Sequence, residues 1–333
     1  GVAPRQPNVR GSDSRFITRY ASHHGYFDGI EREFRGFGLV EQWDTEEFSA
    51  LGGDRAPTNL DAASHVPPVL TRSWFHTGAY LAREHISDSF ATLSPTAGGY
   101  YRESGATDPQ ALLLDDTVLL ADLTAEEERE ACRALKGSLL RREVYALDGT
   151  AREADPYSVT EQNFSMRRLQ PRADNRHGVF FVHAREELVY EYERNRGDPR
   201  TTHNLTLAVD DFGNVLSSAS VAYGRRHRDP ALDARDAVEQ QRSFMTYAEN
   251  EFTRAVEQPD AYRAPLPCAS RSYELTGVEL AVGRPRFGFA EVIAAAAAAA
   301  ALAYEQRPPR GRLEKALVAH THNLYRRVNL AWP

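Results

Sequence analysis

Residues 204–226, NLTLAVDDFGNVLSSASVAYGRR, alternate apolar and polar side chains on both sides of a turn sequence. In an extended chain, positions 205, 207 and 209 share one face, and the run from 215 to 223 continues with the same period of two. Between them, Gly213 and Asn214 tolerate the positive φ angles that tight turns require. The stretch therefore predicts a β-hairpin, and this period limits the fold more than any other feature.

The same alternation recurs along the chain, and residues 177–184 form a continuous apolar run that is typical of a strand covered on both faces. Further strands are predicted at 15–20 (RFITRY), 138–149 (SLLRREVYALDG), 177–184 (HGVFFVHA), 186–194 (EELVYEYER), 242–256 (RSFMTYAENEFTRAV) and 270–280 (SRSYELTGVEL). The expected fold class is mainly β: a large curved antiparallel sheet of strand-turn-strand units with a few short helices.

The best helix signal lies at 124–137, TAEEEREACRALKG, where Thr124 and Glu127 form a capping-box pattern. Weaker helical patterns occupy 77–91 and 311–327. Residues 294–301 are alanines, which indicate a helix end or a mobile connector. We therefore expect a partly helical insertion at 71–137, an Ala-rich connector at 290–310 and a C-terminal helical segment at 311–333. Residues 49–70 and 93–111 resemble surface loops.

Composition excludes several classes of protein. The net charge of -7 argues against a nucleic-acid binder, which is usually basic. No apolar run approaches the roughly 18 residues that a membrane span needs. The two cysteines lack CxxC spacing, so neither a disulfide framework nor a zinc site is indicated. Because the sequence begins Gly-Val-Ala-Pro, we expect it to be a fragment of a longer protein.

Histidines offer two candidate metal sites for a metal-dependent hydrolase. His23, His24 and Asp28 are close in sequence, but adjacent residues of a strand point to opposite faces and cannot easily hold one ion. His320 and His322 share a face only if their segment is extended, and no third ligand is evident nearby. For both groups of histidines, a structural role is the favoured interpretation.

Other candidates for chemistry are weaker. Asp115 and Asp116 lack the spacing of a calcium loop, which favours a loop or cap role. Trp43 and Trp74 offer an alternative function, a carbohydrate-binding β-module, although such aromatic residues more often pack between strands. No hydrolase, phosphate-binding, dinucleotide-binding or kinase signature occurs in the sequence. We predict no catalytic residue, no metal ligand and no cofactor.

Several long strings resemble the B component of bacterial insecticidal toxin complexes, the TcdB-like family, in its middle to C-terminal region. They occur in the expected order: TRYASHHGYFDGIEREFRGFGLVEQWDTEEF, PPVLTRSWFHTGAYL, LTAEEEREACRALKGSLLRREVYALDGT, PYSVTEQNFSMRRLQP, HGVFFVHAREELVYEYERN, LTLAVDDFGNVLSSASVAYGRR, YRAPLPCASRSYELTG and HTHNLYRR. The resemblance covers almost all of residues 1–333.

The resemblance implies that residues 1–333 are one fragment of a non-catalytic β-shell of Rhs/YD-repeat type. In this family, the B component and a C component form a hollow shell around a cytotoxic segment of the C component. A pore-forming A component then delivers that segment. The B component docks to the A component through a propeller, which this sequence lacks. Asp211, Gly213 and Asn214 are the expected formers of a YD-like turn. A secreted virulence protein with no nucleic-acid partner is implied.

Overall fold

Strands dominate the computed structural model of the protein, which describes residues 16–46, 67–103, 110–306, 308 and 311–325. In these ranges the strands are β1 (Phe16–Asp28), β2 (Glu33–Glu46), β3 (Val69–Phe75), β4 (Leu139–Ala146), β5 (Ser158–Gln170), β6 (Val179–Glu191), β7 (Arg200–Val209), β8 (Val215–Tyr223), β9 (Phe244–Phe252), β10 (Val256–Gln258), β11 (Ala261–Arg263), β12 (Pro267–Thr276), β13 (Ala300–Leu302) and β14 (Glu314–His322). The helices are α1 (Ala125–Ala134), α2 (Ala234–Gln240) and α3 (Phe289–Ala298).

Twelve of the described strands form one sheet in the order β1-β2-β3-β4-β5-β6-β7-β8-β9-β12-β14-β13. From β1 to β9 each strand pairs antiparallel with the next strand of the chain. The exception to antiparallel pairing is β13, which runs parallel to β14 at one edge. Strands β10 and β11 make a separate small hairpin. The predicted mainly β, antiparallel fold class is confirmed.

One line of directly paired residues crosses eleven strands from β1 to β14, and we call it the central row. Its members are His23, Leu39, Trp74, Arg141, Glu161, Leu188, His203, Val221, Met245, Leu275 and Lys315. Every member from Leu39 to Leu275 is buried. Because directly paired residues project to the same side, this row marks one face of the sheet as covered.

Two segments cover that face. The first covering segment, the described part of residues 76–135, packs Ile86, Tyr100, Cys132 and Leu135 around Trp74. The second covering segment, residues 277–299, packs Phe287, Val292 and Ala296 onto strands β7 to β12. No helix in the described ranges is long and apolar enough to cross a membrane.

The predicted hairpin at 204–226 is present as β7 and β8, and its turn depends on a different aspartate from the one expected. Asp210, not Asp211, accepts hydrogen bonds from the backbone amides of Phe212 (2.9 Å) and Asn214 (2.8 Å). Gly213 adopts the expected positive φ of 86°. The carboxylate of Asp211 is 93% exposed and pairs instead with Arg167.

The helix predictions had mixed outcomes. The capping box of α1 is present, with the Glu127 amide donating to Thr124 Oγ1 and the Thr124 amide donating to Glu127 Oε2. The helix expected at 77–91 is wrong, because those residues form turns. The helical segment expected at 311–333 is also wrong in its described part, since Glu314–His322 is strand β14. Residues 314–322 pair with β12, and this pairing requires an extended chain. The pairing outweighs the local helix propensity of the segment.

The alanine run belongs to the covered face rather than to a mobile connector. Its first five residues end α3, in which Ala295 and Ala296 are buried, and Ala300–Leu302 then pair with β14 as β13. Alanine suits this position because its small side chain lets a helix lie close to the sheet.

This packing predicts that two neighbouring alanines respond differently to the same substitution. Ala296 is 4% exposed and Ala297 is exposed. We expect Ala296→Glu to lower the free energy of unfolding by about 3 kcal/mol, because it buries an unpaired carboxylate. Ala297→Glu, the control, should change it by less than about 0.5 kcal/mol. Urea denaturation measures both, and equal effects would show that α3 is not packed on the sheet.

Candidate functional site

The covered face holds a buried group of charges among its apolar side chains. Arg141 on β4 donates from Nε to Glu143 (2.7 Å) and from Nη1 to Glu161 on β5 (2.5 Å). Desolvation lowers the pKa of Arg141, but the two carboxylates offset it and hold that pKa above its usual value. Burial raises the pKa of Glu161, whereas Arg141 draws the same pKa down. Such a group is stable only while each member keeps its partners.

These carboxylates also bind the backbone of the first covering segment. Glu143 accepts the amide of Tyr101 (2.8 Å), and Glu161 accepts the amide of Leu114 (2.8 Å). Nη2 of Arg141 donates to the carbonyl of Tyr101 at 3.2 Å. A covering loop without regular secondary structure carries backbone groups that need partners once buried. The charges on the sheet supply those partners.

A second polar chain continues the pattern towards the second covering segment. Asn163 on β5 donates to Glu186 on β6 (2.9 Å), and Oε2 of Glu186 lies 3.1 Å from Nε2 of His203 on β7. Nδ1 of His203 lies 3.2 Å from the hydroxyl of Tyr223, which accepts the amide of Phe287 (3.0 Å). Burial raises the pKa of Glu186, yet hydrogen bonds from His203 and Asn163 bring it below its usual value.

Asp116 has the cap role that the sequence favoured over calcium binding. It accepts the backbone amides of Ile86 (2.7 Å), Ser87 (2.6 Å) and Thr117 (2.8 Å). Asp115 lies apart, with its carboxylate 3.4 Å from Arg286. The two adjacent aspartates therefore do not converge on one point.

The opposite face of the same strands is polar. One residue away from the central row, a second line of directly paired residues crosses β5 to β12, and we call it the open row. Its members are Gln162, Glu187, Asn204, Ser220, Thr246 and Glu274. Asn204 and Thr246 are exposed and the other four are half-buried. Along these two rows, the sheet therefore has one face that is covered and excludes water and an opposite face that is polar.

Among the described residues, the fold does not arrange the first candidate set as metal ligands, although His23 and His24 border the same hollow. His23 lies 3.0 Å from Glu41, which also binds Arg72, and His24 packs against the ring of Phe90 at 5.5 Å. Asp28 is 3% exposed, accepts the amides of Ile30 and Glu31, and pairs with Arg35 at 2.6 Å. The backbone hydrogen bond from Glu31 is the first cause that holds the pKa of Asp28 below its usual value. The stretch from His23 to Asp28 therefore has a structural role in all of these contacts.

The second candidate pair does come together. His320 and His322 lie on strand β14 with ring centroids 4.1 Å apart, as expected for extended chain. Both side chains are exposed. Within the described ranges, however, no group of three or more His, Cys, Asp or Glu side chains is placed to hold a metal ion.

Aromatic side chains do not form a sugar-binding platform around Trp74. This residue is fully buried, donates from Nε1 to the carbonyl of Gly98 (2.8 Å), and meets Tyr100 edge to face at 5.2 Å. Trp43 is half-buried and pairs across strands with Arg19 and Leu70. Both are strand-packing residues.

A cavity of about 1240 Å³ lies at the ends of β8, β9 and β12 and is bordered by four arginines. Each has a carboxylate partner: Arg225 with Asp198, Arg226 with Glu103, Arg242 with Glu239 and Arg284 with Glu291. The charges around the cavity are therefore balanced, which does not favour an anion-binding site.

Comparisons with known proteins agree with the sheet architecture. Residues 130–264 match the family model "Insecticide toxin TcdB middle/C-terminal region", and residues 6–78 match "Insecticide toxin TcdB middle/N-terminal region". Together the two models match more than half of the chain. No curated protein matches the sequence.

Solved structures are similar over most of the described sheet. The crystal structure of TcdB2-TccC3 matches with a TM-score of 0.62 and 31% identity, covering 78% of this chain and 12% of that chain. TcdB2-TccC3 without its hypervariable C-terminal region matches with a TM-score of 0.61, 31% identity and the same coverage. A Photorhabdus luminescens Tc holotoxin pore with a mutation in TccC3 gives a TM-score of 0.61 at 31% identity, also with 78% and 12% coverage.

The fold therefore defines a β-sheet region of a toxin-complex protein. In particular, the chain belongs to the TcdB insecticide-toxin family and corresponds to the middle region of the B component. It spans about an eighth of the length of the solved chains that it matches.

The buried charges predict a large loss of stability when one partner is removed. Arg141→Ala should lower the free energy of unfolding by about 3 to 5 kcal/mol, because Glu143 and Glu161 then remain buried without their cation. Arg200→Ala is the matched control: Arg200 and its partner Glu193 are both more than half exposed, so the expected loss is below about 1 kcal/mol. A comparable loss in the two variants, measured by chemical denaturation, would contradict the assigned role of Arg141.

A buried histidine predicts loss of stability in acid. Burial lowers the pKa of His76 to about 4, and its two ring nitrogens bind the Gly78 amide and the Ile86 carbonyl. The unfolded chain takes up this proton near pH 6.5 and the folded chain only near pH 4, so stability falls as the pH drops between these values. We expect a contribution of about 2 kcal/mol between neutral pH and about pH 5.

The His76→Asn variant isolates this contribution. Unfolding measured at several pH values should show a shallower acid dependence in the variant than in the parent protein, whatever the variant's stability at neutral pH. Identical slopes would show that His76 does not titrate between the folded and unfolded states in this way.

Proposed function

We propose that this region is a non-catalytic wall segment of a secreted toxin-complex B component, which forms with a C component a hollow shell around a cytotoxic polypeptide. The observation that carries this proposal is the asymmetry of the sheet. One face is covered by segments of the same chain, and the other presents the polar side chains of the open row. Within the described ranges, no group of three or more His, Cys, Asp or Glu side chains is placed to hold a metal ion.

A wall must be wide, stiff and continuous. The large sheet supplies width, because nine consecutive strands pair in the order of the chain. The two covering segments are held by the contacts of Glu143 and Glu161 with the Tyr101 and Leu114 amides and by the contact of Tyr223 with the Phe287 amide. These bonds supply stiffness, because they fix a layer of loops onto the sheet. The similar TcdB2-TccC3 structures are complexes of two components, which supports a C component as the partner.

An A component that forms the pore would then act through a part of the B component outside the described residues. Among the described residues, the carboxylates Glu143, Glu161 and Glu186 of the covered face are engaged by Arg141, Asn163, His203 and backbone amides. Their role in this proposal is to hold the wall together. The metal-dependent hydrolase and the carbohydrate-binding module lack comparable support.

The test is co-expression of the whole B protein with the C component from the same locus. We expect the two proteins to co-purify and the C-terminal segment of the C component to resist an added protease. The Arg141→Ala variant should expose that segment to cleavage, because it loosens the wall, whereas Arg200→Ala should protect it as the parent protein does. Failure to co-purify, or a segment that is cleaved freely in the parent complex, would contradict the proposal.

A further inference from the structure

Two neighbouring histidines near the end of β14 have ring nitrogens that no described group uses. His320 and His322 are exposed, and their rings lie at an interplanar angle of 53° with the centroids 4.1 Å apart. Neither ring has a hydrogen-bond partner in the part of the chain that the structure describes. By contrast, His23, His85 and His177 each bind a carboxylate. The pair on β14 is therefore available to a ligand from solution.

The strand directs both rings to the same side of the sheet. Residues two apart on a strand share a face. His320 pairs directly with Arg271 on β12, which lies four positions before Leu275 of the central row. Both histidines therefore project to the covered side, at a point where no covering segment buries them.

The charges around the pair are balanced. Arg271 is the direct partner of His320 and by itself would oppose a bound cation. Its guanidinium binds the carboxylate of Glu251 on β9, which offsets that charge. Glu251 also lies on the directly paired line of His322, across Ala269. A cation at the pair therefore does not meet a positive surface.

Two imidazoles in this arrangement suit a divalent transition ion. Imidazole nitrogen is a ligand for Zn²⁺, Cu²⁺ and Ni²⁺, whereas Ca²⁺ and Mg²⁺ take oxygen ligands. Two nitrogens bound to one such ion at about 2.0–2.1 Å lie about 3 Å from each other. Rings whose centroids are 4.1 Å apart can present two nitrogens at that spacing. Sets of nitrogen and oxygen ligands suit Cu²⁺ and Ni²⁺, so water can complete the coordination without a third protein ligand.

We propose that His320 and His322 form a two-histidine site for a divalent transition ion, which holds the end of β14 in its extended form. Strand β13 pairs only with residues 314–316 of β14, so residues 317–322 have β12 as their described neighbour. In a helix, residues two apart lie on different faces and could not share an ion. The ion therefore favours the strand in a segment whose local sequence favours a helix. This site is independent of the proposed shell.

Calorimetric titration of the whole B protein with Ni²⁺ tests the site. Loss of an outer partner of a metal ligand already costs about 10- to 100-fold in affinity, so His320→Asn and His322→Asn should each weaken binding at least tenfold. The control is His85→Asn, which changes a histidine that is 52% exposed and paired with Asp88, and it should leave the affinity unchanged. A parent protein without a Ni²⁺ site, or equal binding in the parent and the two β14 variants, would overturn the inference.

A second variant separates chelation by the pair from binding by single histidines. Thr321→His/His322→Thr keeps the number of histidines and moves one of them to the opposite face of β14. We expect it to bind Ni²⁺ as weakly as His322→Asn does. Binding as tight as in the parent protein would show that the geometry of the strand is not needed, which would contradict a two-histidine site.

Amide hydrogen exchange tests the effect of the ion on the strand. Saturating Ni²⁺ should slow exchange in residues 317–322 of the parent protein, because an ion that binds only the extended form stabilises that form. The same Ni²⁺ concentration should have no effect on these residues in the His320→Asn/His322→Asn variant. Unchanged exchange in the parent protein with Ni²⁺ bound would contradict the proposed hold on β14.

Discussion

Arg141 on β4 is bound between Glu143 and Glu161 on the covered face, and the attachment of the first covering segment depends on that contact. An ion group there costs desolvation energy and gives little net stability over well-packed apolar residues. Its advantage is the pattern of bonds. The two carboxylates accept the Tyr101 and Leu114 amides, so the first covering segment acquires two defined anchoring points outside its helix α1. Apolar contacts alone do not fix the register of a loop on a sheet.

The two-residue period of the strands explains how one sheet presents two unlike surfaces. The central row and the open row are one residue apart, and the period of a strand sends them to opposite sides. On one side, Trp74, Leu188 and Met245 exclude water. On the other, Asn204 and Ser220 bind each other across the strands. The covered side binds segments of its own chain tightly, and the opposite side leaves its polar groups at the surface.

The fold was largely predictable because strands carry a strong local signal. Alternation identified β6 to β9 and β12, and Gly213 marked the central hairpin. The segment around β14 was misread because GRLEKALVAH has good helix formers, and only its pairing with β12 makes it extended. The turn uses Asp210, whereas the turn motif predicted Asp211. Both aspartates suit the motif, and the backbone geometry selects one of them.

The candidate site was harder to foresee. Glu143, Glu161 and Glu186 each lie two positions from an apolar residue of the same strand, which indicates a covered face. A sequence read alone nevertheless assigns charged residues to solvent. The signal that could have identified them is the placement of each charge on the apolar side of its strand. Their partners, Tyr101, Leu114 and His203, lie between 17 and 47 residues away, and only the pairing of strands brings them together.

Amide hydrogen exchange on a Glu161→Met variant tests most directly whether the buried carboxylates anchor the covering layer. This change removes the acceptor of the Leu114 amide and leaves Arg141 its bond to Glu143. We expect exchange to accelerate in residues 110–119 while strands β7 to β9 keep their protection. Unchanged exchange at Leu114, or an equal loss of protection across the whole sheet, would contradict the account.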